Sequence, residues 1–109
     1  MRGWIGVDLD GTLARHDGGG VGTIGSPVPL MLARVRAWLA EGHDVRIMTA
    51  RASGPADLVT EQTALIEAWC EDHLGQALPV TCSKDYAMLA LFDDRAVGVV
   101  PNTGELVGP

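Results

Sequence analysis

Short apolar runs alternate along the chain with longer segments in which apolar residues recur every three or four positions. That alternation predicts a parallel sheet covered by helices. Trp4-Ile5-Gly6-Val7 is apolar without interruption and stops at Asp8, as suits a central strand buried on both faces. Asp44 to Met48, Leu78 to Cys82, Leu89 to Phe92 and Val97 to Val100 read as further short strands. Ser26 is placed to cap a first helix and Pro27 to sit in its first turn. Val28, Met31, Leu32, Val35, Trp38 and Leu39 then form the helix's apolar stripe before Gly42 ends it. Pro55 opens a second helical segment, whose Leu58, Leu65, Ile66, Trp69, Cys70 and Leu74 make a less regular stripe, open to a break near Thr60, before Gly75. The expected fold is α/β: a Rossmann-like parallel sheet of about five strands, the Trp4–Val7 strand central and helices on both faces. After the third strand the chain must cross back to the far side of the first. Ser83 to Leu89 are enough only for an extended crossover or a single helical turn. The strand from Leu89 should then run parallel to the first and bring Asp93 beside Asp8.

With 109 residues, of which 47% are apolar, the chain is expected to be a single domain spanning 1–109. Its longest apolar run, Ala87 to Phe92, is far too short to cross a bilayer, and Trp4 to Val7 is too short for a secretory signal. A cytoplasmic protein is therefore expected. The formal charge of -6 argues against a broad nucleic-acid-binding face. Cys70 and Cys82 read as buried thiols, not as a disulfide framework. Gly11, Gly18, Gly19, Gly20, Gly22 and Gly25 crowd one stretch and mark a flexible flap at about 13–25. The flap lacks the spacings of phosphate-cradling glycine loops.

In open parallel sheets, ligands bind beyond the carboxyl ends of the strands. Asp8 and Asp10 stand after the first strand, Thr49 and Arg51 after the second, Lys84, the sole lysine, after the third, and Asp93 and Asp94 after the fourth. Each has a bland role available. The early acids could cap backbone amides, Thr49 could cap a turn, Asp93 and Asp94 could pair with Arg95, and Lys84 could be solvated. Gathered at one sheet edge, however, the carboxylates would repel one another unless a cation compensates, and Mg²⁺ is the hard ion that suits a few such oxygens. Residues two apart in extended backbone point to the same side, so Asp8 and Asp10 can address one phosphoryl group. Gly11 allows close backbone approach.

Asp8-Leu9-Asp10-Gly11-Thr12, Thr49, Lys84 and Asp93-Asp94 resemble, in order and placement, the four motifs of the haloacid dehalogenase-like superfamily, over about Ile5 to Val100. The resemblance implies a Mg²⁺-dependent phosphohydrolase without a cap domain, acting on a phosphate monoester through an aspartyl-phosphate on Asp8. Asp10 would be the acid and base, and Thr49 and Lys84 would hold the phosphoryl oxygens. Gly11, Thr12 and Arg51 would adjoin the substrate. Asp8, the Asp10 carbonyl and Asp93, with Asp94 beside it, would bind the metal. Thr49-Ala50-Arg51 and Asp93-Asp94-Arg95 are also similar to the phosphatase domain of phage polynucleotide kinase. An open site of this kind suits a nucleic-acid phosphate end, a nucleotide, or a small phosphometabolite enclosed by a neighbouring subunit. Two alternatives are a receiver-like phosphoacceptor and a catalytically idle domain of the same fold. Motif order argues against a receiver, because here the Asp-x-Asp comes first and the acidic pair follows the lysine.

Overall fold

The computed structural model describes residues 3–18, 20 and 22–108; Gly19 and Val21, counted with the flap above, lie outside them. The chain runs β1 (Trp4–Val7), α1 (Pro29–Ala40), β2 (Asp44–Met48), a 3-10 turn (Ala50–Ala52), α2 (Ala56–Leu74), β3 (Val80–Thr81) and β4 (Met88–Phe92). The strands form one parallel sheet in the order β3-β2-β1-β4. β1 is buried along its whole length and has a neighbour on each side, which explains its unbroken apolar run. β4 runs parallel to it, with Val7 opposite Phe92.

Both helices lie on one face of the sheet. Ile5 and Val7 of β1 share a face with their partners Val45 and Ile47 of β2. These four meet Met31, Leu32 and Val35 of α1 and Ile66, Trp69 and Cys70 of α2 in a single core. Arg36 of α1 also donates from Nη2 to the His73 carbonyl of α2 at 2.8 Å, and the Trp38 ring stands 4.8 Å from that of Phe92. The expectation of helices on both faces is therefore corrected. Right-handed crossovers that step twice in one direction, β1 to β2 to β3, place both helices on the same side. Only the return crossover could cover the other side. It has too few residues for a helix and runs irregularly from Cys82 to Ala87.

On the uncovered face the protein uses one tryptophan. The Trp4 ring lies over Gly6, where a Cβ would stand 3.1 Å from Trp4 Cζ3 and 3.2 Å from Leu91 Cδ1, so the strand needs its glycine for that approach. Arg46 stacks on the ring with its guanidinium carbon 4.7 Å from the centroid. Trp4 Nε1 donates to Asp85 Oδ1 at 2.8 Å and so pins the return crossover to the sheet. Trp4 is left 1% exposed.

Other expectations are corrected in detail. The fifth strand does not join the sheet: Val99 pairs only with Leu106, in a small antiparallel ribbon closed by Asn102 and Gly104 at positive φ. Val97, Val99, Leu106 and Val107 remain exposed there, and apolar content alone does not tell such a ribbon from a sheet strand. The third strand shrinks to Val80–Thr81, since Pro79 has no N–H for the ladder. Helix α1 starts at Pro29, with Val28 as its cap position, because a proline is best placed where the N–H has no partner anyway. The Ser26 carbonyl instead accepts from Arg15 N–H at 2.8 Å. Helix α2 is continuous through Thr60, whose hydroxyl donates to the Ala56 carbonyl at 3.0 Å. Cys82 is exposed at the end of β3, and only Cys70 is buried; both are free thiols. Among the described residues no helix is long and apolar enough to cross a membrane.

Candidate active site

Beyond Val7 the chain folds into a tight turn. Leu13 and Ala14 N–H groups donate to the Leu9 carbonyl at 3.0 and 2.9 Å, and Gly11 N–H donates to the Ala14 carbonyl at 2.8 Å. Leu9 and Leu13 are both 0% exposed and peg the turn into the core. Each contributes roughly 1.5–3 kcal/mol by burial, which offsets the cost of holding the intervening Asp10 carboxylate in place. Gly11 has φ +87°, and a Cβ there would sit 2.5 Å from Asp94 Oδ2. Backbone conformation and space both exclude a side chain.

Two walls face each other across this turn. On one, the carboxylates of Asp8, Asp93 and Asp94 place oxygens within 4.8 Å of one another. Asp8 N–H bonds the Phe92 carbonyl at 2.9 Å, which sets this alignment of β1 and β4. Burial first, then the hydrogen bond shared with Asp94 and the charge of Asp93, push Asp8 up to about 7. The same hydrogen bond, followed by the one from Thr12, holds Asp94 below the usual carboxylate range. The two carboxyls therefore titrate as a pair, with Asp8 the one pushed toward its protonated form. The Thr12 hydroxyl donates to Asp94 Oδ1 at 3.1 Å and accepts from Asp94 N–H at 3.0 Å. Arg95 N–H donates to Asp93 Oδ1 at 2.8 Å. Three hard oxygen donors that repel one another in the absence of a cation fit a divalent ion such as Mg²⁺.

Arginine dominates the other wall. Arg51 donates from Nε to Asp10 Oδ2 at 2.7 Å and from Nη2 to Asp10 Oδ1 at 2.9 Å, a two-pronged clamp. Its Nη1 reaches Gln62 Oε1 on α2 at 3.0 Å, and Nη2 also reaches the Thr23 carbonyl of the flap at 2.8 Å. Trp69 Nε1 holds the flap's other end through the Gly25 carbonyl at 2.9 Å. The Asp10 carboxylate is therefore committed to Arg51 and stands outside the acidic cluster. His16, from the flap, brings Nδ1 to 3.7 Å from Asp10 Oδ1.

Between the walls lies a cavity of about 380 Å³ at the carboxyl ends of the strands. Asp8, Asp10, Thr49, Arg51, Asp93 and Asp94 line it. Thr49 is 4% exposed, and its hydroxyl accepts from Arg51 N–H at 3.2 Å, starting the 3-10 turn that carries Arg51 inward. Gly11 and Thr12 do not line the cavity: they shape and anchor its acidic wall. Arg51, expected beside the substrate, holds Asp10. Lys84 is exposed, is not part of the lining and has no ion pair among the described residues. Cys82 and Arg95 line the wall near where it was expected. Sequence reasoning missed Gln62, which is 2% exposed although polar. Its signal was its spacing, four before Ile66 and on the same buried stripe of α2.

No family model matches the chain, and no curated protein matches it. A solved structure, described as the conserved protein coded by a locus from Bacteroides thetaiotaomicron, superposes with a TM-score of 0.59 at 21% identity. The match covers 94% of this chain and 84% of that one. The likeness is one of fold: an α/β architecture on a parallel sheet.

Proposed function

We propose that the protein is a divalent-metal-dependent phosphohydrolase that cleaves phosphate monoesters through an aspartyl-phosphate on Asp8, as its resemblance to the haloacid dehalogenase-like superfamily implies. The observation that carries this reading is the division of four aspartates between two walls of one cavity. Asp8 sits in an uncompensated acidic cluster, and Asp10 is fixed by arginine two residues on. Asp8, Asp93 and Asp94 are the residues that would hold Mg²⁺. When bound, the ion supplies positive charge that draws the proton off Asp8 and offsets the charge of the phosphate.

In the first step an Asp8 carboxylate oxygen bonds to phosphorus, the ester P–O bond breaks, and Asp10, protonated on one oxygen once that oxygen has given up its Arg51 hydrogen bond, gives that proton to the leaving oxygen. In the second, Asp10 takes a proton from water, the water oxygen bonds to phosphorus, and the bond to Asp8 breaks to release phosphate and restore the carboxylate. Arg51 keeps Asp10 aimed through its other oxygen, and Gln62 keeps Arg51 in place. The Thr49 hydroxyl is positioned to donate to a phosphoryl oxygen. Lys84 and Arg95 are the candidates for the charged contact to it.

Turnover of phenyl phosphate with Mg²⁺ tests the reading. Asp8→Asn should abolish both turnover and phosphate incorporation while the protein stays folded, since the change is nearly isosteric. Activity of this variant within tenfold of wild type would overturn the assignment of the nucleophile. Stable labelling of Asp8 without turnover would instead favour a receiver-like phosphoacceptor.

A further inference from the structure

A second, smaller cavity of about 180 Å³ opens between the flap and the Arg51 wall. Asp10, His16 and Arg51 line both cavities, which therefore adjoin. If Asp10 gives the leaving oxygen its proton, the group attached to that oxygen must extend to the far side of Asp10 from Asp8. The second cavity is lined by Asp10 but not by Asp8, and we infer that it is the leaving-group site and takes a small neutral polyol, so that the substrate is a sugar or polyol monophosphate. This inference rests on the roles given above to Asp8 and Asp10.

Size, charge and surface all favour that class. The volume is well below the roughly 300–1,000 Å³ of cavities that enclose drug-sized ligands. Arg15 and Arg51 balance Asp10 and Asp17 along the lining, so a second phosphate or other anion has no excess positive charge to meet it. The Asp17 carboxylate accepts hydrogen bonds from hydroxyl groups. The Thr23 hydroxyl, whose proton goes to the Gly20 carbonyl at 3.3 Å, can accept from a further hydroxyl, and Ile24 offers an apolar patch to a sugar's C–H face. Among the described residues no tryptophan, tyrosine or phenylalanine lines the cavity. A nucleobase would have only the His16 ring and the Arg15 and Arg51 guanidinium planes to stack on, and Arg51 is already held by Asp10, Gln62 and the Thr23 carbonyl. The site is also anchored. Arg51 holds the Thr23 carbonyl, Trp69 holds the Gly25 carbonyl, and Gly25 packs directly against the Arg15 carbonyl, where no Cβ would fit.

The test compares kcat/KM for three esters with Mg²⁺: a pentose 5-phosphate, phenyl phosphate and a 3′-phosphorylated oligonucleotide. The wild type should prefer the pentose phosphate to phenyl phosphate. Asp17→Asn and Thr23→Val, both at exposed positions, should each lower that preference by about tenfold, the size of a lost hydrogen bond in a site built for hydroxyls. Preference for the oligonucleotide, or a ratio unmoved by both variants while phenyl phosphate is still hydrolysed in an Asp8-dependent way, would overturn the leaving-group site and leave the hydrolase reading standing. Absence of Asp8-dependent turnover on all three esters would overturn both.

Discussion

The acidic wall and the arginine wall are built from the same side chain in opposite surroundings. Asp10 has a guanidinium on both oxygens, while Asp8, Asp93 and Asp94 have mainly one another. One wall is electrostatically complete and the other is short of positive charge: burial, Asp94 and Asp93 push Asp8 up to about 7. The complete wall is therefore the fixed part of the site. On the proposed reading, the incomplete one is where a cation and an anionic substrate would enter and relieve its repulsion.

Loading the acidic wall should have the largest effect. Excess chelator should reduce phenyl phosphate turnover to background, and Mg²⁺ should restore it; equal activity with chelator would remove the distinction between the walls. The arginine wall should respond to geometry more than to charge. Arg51→Lys keeps the cation but loses the fork that grips both oxygens, and kcat should fall about 10²-fold, the scale of a displaced acid-base group, with KM changed far less. Full activity in that variant would mean that Asp10 needs no clamp.

A smaller and more local comparison separates the two cations of the acidic side. Lys84→Met and Arg95→Gln remove one positive charge each, and whichever contacts the phosphoryl group should cost about 10²-fold in kcat on every ester. Lys84 is the expectation from the motif order, and Arg95 the one from the cavity lining. The smallest effect is on stability. In metal-free protein Asp8 binds its proton in the folded state up to about 7 but, once unfolded, only up to about the reference value of 3.8. The folded form thus binds more protons between those values, so Tm should decline as pH rises from about 4 to about 7. Asp8→Asn should flatten that slope, and Mg²⁺ should raise Tm more at pH 7.5 than at pH 5.

Much of this was legible along the chain, because local chemistry writes strand ends plainly. Trp4–Val7 breaking at Asp8, the stripe of α1 and the turn at Gly11 all follow from single residues and their neighbours. The short crossover could be reasoned from the distance it must span. What escaped depended on where distant segments meet. The clamp joins Arg51 and Asp10 across 41 positions, and neither residue announces the other. Gln62 had no place in the apolar stripe read for α2, yet it is a buried support for Arg51. The one-sided helices required the strand order, and the exposed apolar ribbon at Val99 and Leu106 has the composition of a core strand without its position.

The strap from Trp4 to Asp85 and the bond from Thr12 to Asp94 span 81 and 82 positions, twice the reach of the Arg51 clamp. Each doubling of loop length adds about 0.6 kcal/mol of closure entropy, and contacts of such long range form slowly. The two walls therefore mature at different moments. As the chain emerges, Asp10, Arg51 and Gln62 can assemble once β1, α1, β2 and the start of α2 are available, whereas the acidic cluster waits for Asp94. A partly made molecule would hold the Arg51–Asp10 clamp but not the acidic cluster, which is complete only once β4 has docked against β1.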